Sequence, residues 1–191
     1  MLIALHSQLK KAIEEANKKL QTASDEVAKA QDVITSLEQE KTLMAEATIL
    51  PPPSPRLVRT WNDVVALDLG ISLKQPSISS VETNTPQVLT LTVANPRNAS
   101  ATQWFSALPY STAQEQTLLG TLATSTPVSY VVNGHLLRGV EGTSLGQTSP
   151  SWVLQAWENG QPVYLIWITN PYPTSDPSSV TNVLASLRFA T

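Results

Sequence analysis

The chain has 191 residues, a net charge of −3 and a pI near 5.3. It lacks cysteine, which excludes disulfides, thiolate zinc sites and cysteine nucleophiles, and its acidic balance leaves no electrostatic footprint for nucleic acid or an anionic membrane. Charged residues make up 14% of the chain against roughly 25% in average proteins; the deficit lies after residue 50, where Ser, Thr, Asn and Gln take the solvated positions, a composition that favours a secreted or cell-surface protein.

The chain opens on Met1-Leu2-Ile3-Ala4-Leu5. This run is far short of the ~20 residues that a membrane span needs, and it lacks the basic region and cleavage site of a signal peptide. Two readings stand: a frayed helix start, or the remnant of a membrane anchor upstream of residue 1. From Leu9, apolar residues recur at alternating spacings of four and three. Ile13, Leu20, Val27 and Ile34 fall at position a, and Leu9, Ala16, Ala23, Ala30 and Leu37 at position d. Positions e and g carry Lys10, Lys19, Glu26, Gln31, Glu38 and Glu40. That is a coiled-coil pattern. Neither Gly nor Pro interrupts it, and Ala, Glu, Lys and Leu dominate, so local propensity agrees. The reading is a helical arm over 1–47, about 70 Å long if fully helical. Large a residues against alanine at d suit a tight, antiparallel pairing, with itself or with another protein's helix. The alternative is a lone amphipathic helix lying on a partner. The arm's six lysines and eight acids are mixed, so no nucleic-acid role follows.

Pro51-Pro52-Pro53-Ser54-Pro55 marks a linker over 48–55, expected to be extended and polyproline-like. A PxxP ligand is formally present at Pro52–Pro55, but most such stretches are spacers. Residues 56–191 hold every Trp, Tyr and Phe and read as a globular domain.

Within it, Leu57–Trp61 and Val64–Leu73 read as strands, broken near Asn62-Asp63 and at Gly70. Gln87–Val93 alternates cleanly, as a half-buried strand does. Ser100-Ala101-Thr102-Gln103 has the form of a capping box before Trp104, Phe105 and Leu108, which predicts a short helix stopped by Pro109. A second box, Ser111 to Gln114, precedes Leu118, Leu119 and Leu122. Val128–Val132 and Leu136–Val140 flank Asn133-Gly134, a type I′ turn. Asn159-Gly160 does the same for the run Trp152 to Thr169. A two-residue loop there would place Trp152 opposite Trp167, Leu154 opposite Leu165 and Ala156 opposite Val163. Val153, Gln155 and Trp157 would face Ile166, Tyr164 and Pro162. Both faces are apolar, so the hairpin needs cover on both sides. Asp176-Pro177 predicts a helix start. Val180, Val183, Leu184 and Leu187 form its apolar stripe, with Arg188 in its last turn. The fold class expected is α+β: an antiparallel sheet covered by helices on both faces, an αβα sandwich, preceded by the long helix.

Leu69-Gly70-Ile71-Ser72-Leu73-Lys74-Gln75-Pro76 resembles the opening strand of PsbP-like domains. Asn133-Gly134 before Arg138-Gly139 is similar to their mid-chain stretch, and Val163-Tyr164-Leu165-Ile166 followed by Val183-Leu184-Ala185-Ser186-Leu187-Arg188-Phe189 to their ending. The likeness covers roughly residues 64–190. It implies an antiparallel sheet between helical layers and an extracytoplasmic accessory role, with no shared catalytic residues.

Chemistry is sparse. His6 lies in the arm and His135 alone in the globule, so no histidine-based metal site is expected. Asp63, Asp68, Glu82, Glu115, Glu141, Glu158 and Asp176 are scattered; a carboxylate-only calcium site using Asp63, Asp68 or Glu141 stays open. The chain has no glycine-rich phosphate loop. Asn98-Ala99-Ser100 is a glycosylation sequon, meaningful only in a eukaryotic secretory setting. Trp152 and Trp167 are expected to pair in the core and Trp104 to pack a helix on the sheet. Trp61 and Trp157 are the candidates for exposed binding aromatics. The leading expectation is a non-catalytic extracytoplasmic accessory or binding domain on a helical stalk, without cofactor or metal. A structural component of an envelope or filament assembly comes second, and an enzyme third.

Overall fold

The computed structural model describes residues 2–53, 55, 60–77, 79–85, 87–94, 101–144, 149–170 and 178–190. Helix α1 (Leu2–Glu46) runs for 45 residues, as its unbroken helix-forming composition dictates. Then follow β1 (Thr48–Ile49), β2 (Asn62–Ala66), β3 (Ile71–Gln75), β4 (Ser79–Thr85), β5 (Val88–Ala94), β6 (Ala101–Pro109), α2 (Thr112–Leu119), β7 (Leu122–Val132), β8 (His135–Ser144), β9 (Pro150–Glu158), β10 (Gln161–Thr169), α3 (Ser178–Ser186) and β11 (Arg188–Phe189). The class is α+β. An eight-stranded sheet has the order β1-β7-β8-β9-β10-β6-β5-β4, and a three-stranded sheet the order β11-β3-β2. Among the described residues, every pairing is antiparallel except β1 with β7.

One face of the large sheet carries the core. Leu137, Trp152, Leu154, Ala156, Ile166 and Ile168 pack there against Val64, Ile71 and Leu73 of the small sheet and Val180, Val183, Leu184 and Leu187 of the α3 segment. Burying each of these larger side chains is worth about 1.5–3 kcal/mol. The predicted α3 stripe is therefore buried, while Asp176 and Pro177 lie outside the described residues. The opposite face of the large sheet meets α2, which touches β9, and the end of α1, which touches β7 and β8. Leu136 and Leu165 are fully buried on that side.

Both Asn-Gly turns form as expected. Asn133 and Gly134 have φ of 49° and 86°, and Asn159 and Gly160 have 53° and 79°, the two positive angles that a type I′ turn requires. Asn133 does more than turn the chain. Its Nδ2 donates to Leu187 O at 2.5 Å and Ala185 O at 3.3 Å, which satisfies carbonyls at the end of α3 that have no helical partner.

Several expectations are corrected. The segment read as a helix after the box at Ser100–Gln103 is strand β6, with Trp104 and Phe105 fully buried; Ser100 itself is not among the described residues. Pairing on both sides, with β10 and β5, overrides the local helix signal. Trp104 is thus part of a strand and packs no helix of its own. The second box does open a helix, but Ser111 makes no side-chain cap bond. The β9–β10 register also differs. Pro162 faces Trp157 as expected, but a bulge follows, and Tyr164 faces Ala156, Leu165 faces Gln155, Ile166 faces Leu154, Trp167 faces Val153 and Ile168 faces Trp152. Pro162 has no N–H for the ladder, and the Val163 carbonyl accepts from Tyr110 N–H at 2.8 Å. One inserted residue moves every later side chain to the other face. Trp152 and Trp167 consequently lie on opposite faces, Trp152 in the core and Trp167 half-buried.

Strand β2 begins at Asn62, with Trp61 before it, and residues 57–59 lie outside the description. The run read as one strand to Leu73 is interrupted by a 3-10 turn, Leu67–Leu69, ending at Gly70. Arg188 begins β11 instead of closing a helix. Thr48 and Ile49, read as the start of a spacer, pair with Tyr130 and Val131, and Leu50 N–H donates to Val131 O at 3.1 Å. The free edge of β7 offers unpaired backbone groups to whatever extended chain lies beside it.

Candidate interaction surfaces

The predicted seam residues of α1 share one open face. Leu9, Ile13, Ala16, Leu20, Ala23, Val27, Ala30, Ile34 and Leu37 are all exposed, Leu20 at 71% and Val27 at 68%. Helical spacing places them along one stripe. Solvent contact along so many large apolar side chains is unusual for a lone soluble helix.

The base of the same helix is anchored through a different stripe. Ser36, Glu40, Leu43 and Ala47, at spacings of four, three and four, are half-buried. The Glu40 carboxylate accepts a hydrogen bond from Gly160 N–H in the β9–β10 turn. Glycine is required there twice over. Its φ is positive, and a Cβ would lie 2.6 Å from Ser36 Cβ and 2.8 Å from the Ser36 carbonyl carbon. This anchoring stripe lies about 100° around the helix from the a/d seam, so docking the base leaves the seam open from Leu9 to Leu37 and half-covers it at Met44. Sequence reasoning missed it because its apolar content is low and its partner is backbone. The Asn159-Gly160 pair marked the turn but not the contact.

Between the base and the sheet edge lies an open hollow of about 520 Å³, lined by Leu37, Glu40, Lys41, Met44, Ala45, Ile49 and Val131. Leu37, Lys41 and Met44 are seam positions of α1, so the seam runs into this hollow without a break.

The candidate aromatics are placed apart. Trp61 is half-buried against the core, before β2. Trp157 is half-buried at the end of β9, on the large sheet, and its Nε1 donates to Gln155 Oε1 at 3.0 Å. Gln155 Nε2 in turn donates to Glu115 Oε1 at 2.5 Å, and Tyr110 Oη donates to Glu115 Oε2 at 2.9 Å. This chain of bonds fastens α2 to β9. Glu115 has every ordinary partner for a structural carboxylate.

Two tyrosines are perturbed. Burial raises the Tyr164 phenol above its usual pKa, and the Glu158 charge adds to this. Tyr164 Oη donates to Leu69 O at 2.6 Å, and its ring stacks on Phe189. Burial also raises Tyr130. His6 is exposed on the arm, and the His135 ring lies 4.9 Å from that of Phe189. Among the described residues, no group of three or more His, Asp or Glu could hold a metal ion. No helix among them is long and apolar enough to cross a membrane.

No family model and no curated protein matches the chain. One solved structure, a protein from Bacteroides thetaiotaomicron VPI-5482 at 1.50 Å resolution, shares 12% identity over 69% of this chain, with a TM-score of 0.43. The match spans about half of that protein, 49% of its length.

Proposed function

We propose that this chain is a non-catalytic accessory or binding domain, working outside the cytoplasm, whose helical arm joins it to an assembly. The observation that carries the reading is the a/d seam of α1, exposed along its length while the base of the helix is clamped to the globule. A clamped base gives the arm a defined direction, and an open coiled-coil seam gives it a helix-shaped binding face. In this reading the seam is one half of a coiled coil. The eight-stranded sheet is the middle layer of an αβα sandwich, supported by α3 on one face and by α2 and the base of α1 on the other. The sequence likeness to PsbP-like domains supports the extracytoplasmic accessory role, as does the low charge of the globule. A second reading, a structural component of a cell-envelope or filament assembly, is favoured by the 45-residue length of α1.

The test uses the full chain in its own cells. Gel filtration of the extract should find the chain in an assembly larger than its free form. The double variant Leu20→Gln with Val27→Gln, both sites exposed, should run as the free chain with an unchanged melting temperature. If wild type and variant elute at the same volume, the arm is not the assembly element.

A further inference from the structure

We propose that the occupant of the α1 seam is a second copy of this chain, laid antiparallel so that residue i of one arm faces residue 50 − i of the other. The inference rests on reading the arm as an assembly element and adds the partner, the direction and the register. Three independent features lead to it.

Layer volumes come first. In this register Leu20 faces Ala30 of the second copy, Val27 faces Ala23, and Ile34 faces Ala16. Each of these layers joins one large side chain to one methyl, so the helix separation stays constant and short through the middle of the arm, and the Ile13–Leu37 layers that flank it pair two large side chains. A parallel alignment would stack Ala on Ala in three layers, between layers of paired large residues. The separation demanded would then alternate from layer to layer, and voids would open at the alanines.

Charge is the second feature. Residues 1–23 carry a net +2 and residues 24–46 a net −4. Antiparallel arms set each basic half beside an acidic one, whereas parallel arms set like beside like. At the seam's edges the register brings Lys10 beside Glu38 of the second copy, twice by symmetry. One contact opposes it: Glu26 meets its own copy at the two-fold axis.

Third, the register gives the hollow at the arm's base an occupant. It places residues 2–9 of one copy across from residues 41–48 of the other. The run Leu2-Ile3-Ala4-Leu5 then falls over the hollow lined by Met44, Ile49 and Val131. An apolar run of one copy and an apolar hollow of the other meet. The two globules lie at opposite ends of the rod, roughly 57 Å apart along it at 1.5 Å per residue.

The chain has no cysteine, so single introduced thiols report proximity cleanly. In full-length protein, Ala16→Cys and Ile34→Cys each place a thiol at an exposed seam position. Facing residues lie within disulfide reach, about 4.4–6.8 Å between Cα atoms. A residue and its own copy are separated by about 27 Å. Under mild oxidation, an equimolar mixture of the two variants should give disulfide-linked dimer, and either variant alone should not. Crosslinking of Ala16→Cys alone, or no excess in the mixture, would overturn the register. A cysteine-free variant supplies a second readout. Glu26→Gln removes the like-charge contact and should tighten the dimer roughly two- to fivefold by sedimentation equilibrium, the range of exposed charge pairs. A wild type that stays monomeric at all concentrations would overturn the proposal. In that case the size of the assembly in cells still decides, separately, whether the arm binds a different helix.

Discussion

Glu40 and Gly160 are 120 residues apart in the chain, yet the Glu40 carboxylate accepts the Gly160 N–H. This contact converts a long helix into a directed arm. It also makes Gly160 different from the other turn glycine, Gly134, which has nothing within 4 Å of the site of a Cβ.

The pair Gly160→Ala and Gly134→Ala separates turn strain from arm docking. Each forces alanine into a positive φ, costing about 1–2 kcal/mol, and urea unfolding should show this loss in both. Only Gly160→Ala should also free the arm's base. Trypsin cleavage after Lys41 should accelerate in that variant and stay at the wild-type rate in Gly134→Ala. Equal cleavage in both would mean that the base is not held by this turn.

Asn133 offers a similar separation. Asn133→Gly keeps the backbone conformation easy and removes the two bonds to the carbonyls of Ala185 and Leu187. The expected loss is about 1–2 kcal/mol, read as a lower urea midpoint with an unchanged slope. An unchanged midpoint would show that water serves these carbonyls equally well.

The two faces of the Asn-Gly logic show how far the sequence could be read. Two-residue loops with positive φ at both positions need Asn-Gly, so β7–β8 and β9–β10 were legible from four residues. The register beyond the second loop was not. A loop fixes only the pairs beside it, and Leu165-Ile166-Trp167-Ile168 is apolar on both faces, so the pattern does not penalise a slip by one. The bulge arises from Pro162 and from the Tyr110 bond to Val163 O, the latter a long-range fact. The same holds at Ala101–Pro109, where a box pattern suggested helix and two flanking strands made it strand. The arm was legible because no distant strand competes for it. Its docking stripe was not, because Ser36 meets backbone at Gly160 and leaves no hydrophobic trace.

Tyr164 makes a pH-dependent contribution whose sign follows from its environment. Its pKa is raised by burial and then by Glu158, so the fold favours the neutral phenol. The unfolded chain ionises first as pH rises past about 10. Stability is therefore fully present below that pH and falls as pH climbs toward the folded value. Tyr164→Phe should cost about 1 kcal/mol at neutral pH, through the lost bond to Leu69 O, and should lessen the alkaline fall. Tyr130, also raised by burial, leaves part of it. Thermal melts between neutral pH and pH 11 are the check; an identical alkaline slope in the variant would remove Tyr164 from the account.

Leu154 and Leu20 should respond oppositely to truncation. Leu154 is fully buried in the core, and Leu154→Ala should destabilise the globule by about 2–5 kcal/mol. Leu20→Ala, on the exposed seam, should change globule stability by less than about 0.5 kcal/mol and should reduce association. Calorimetry and sedimentation of the two variants give the comparison.

The central claim is that one helix has two differently engaged parts, a base held by the globule and a seam held by association. Hydrogen exchange of the full chain across a dilution series reads both at once. Amides of residues 36–46 should keep the same protection at every concentration, and amides of residues 9–34 should lose protection as the protein is diluted. Full protection of 9–34 at the lowest concentration, or rapid exchange of 36–46 throughout, would contradict the account.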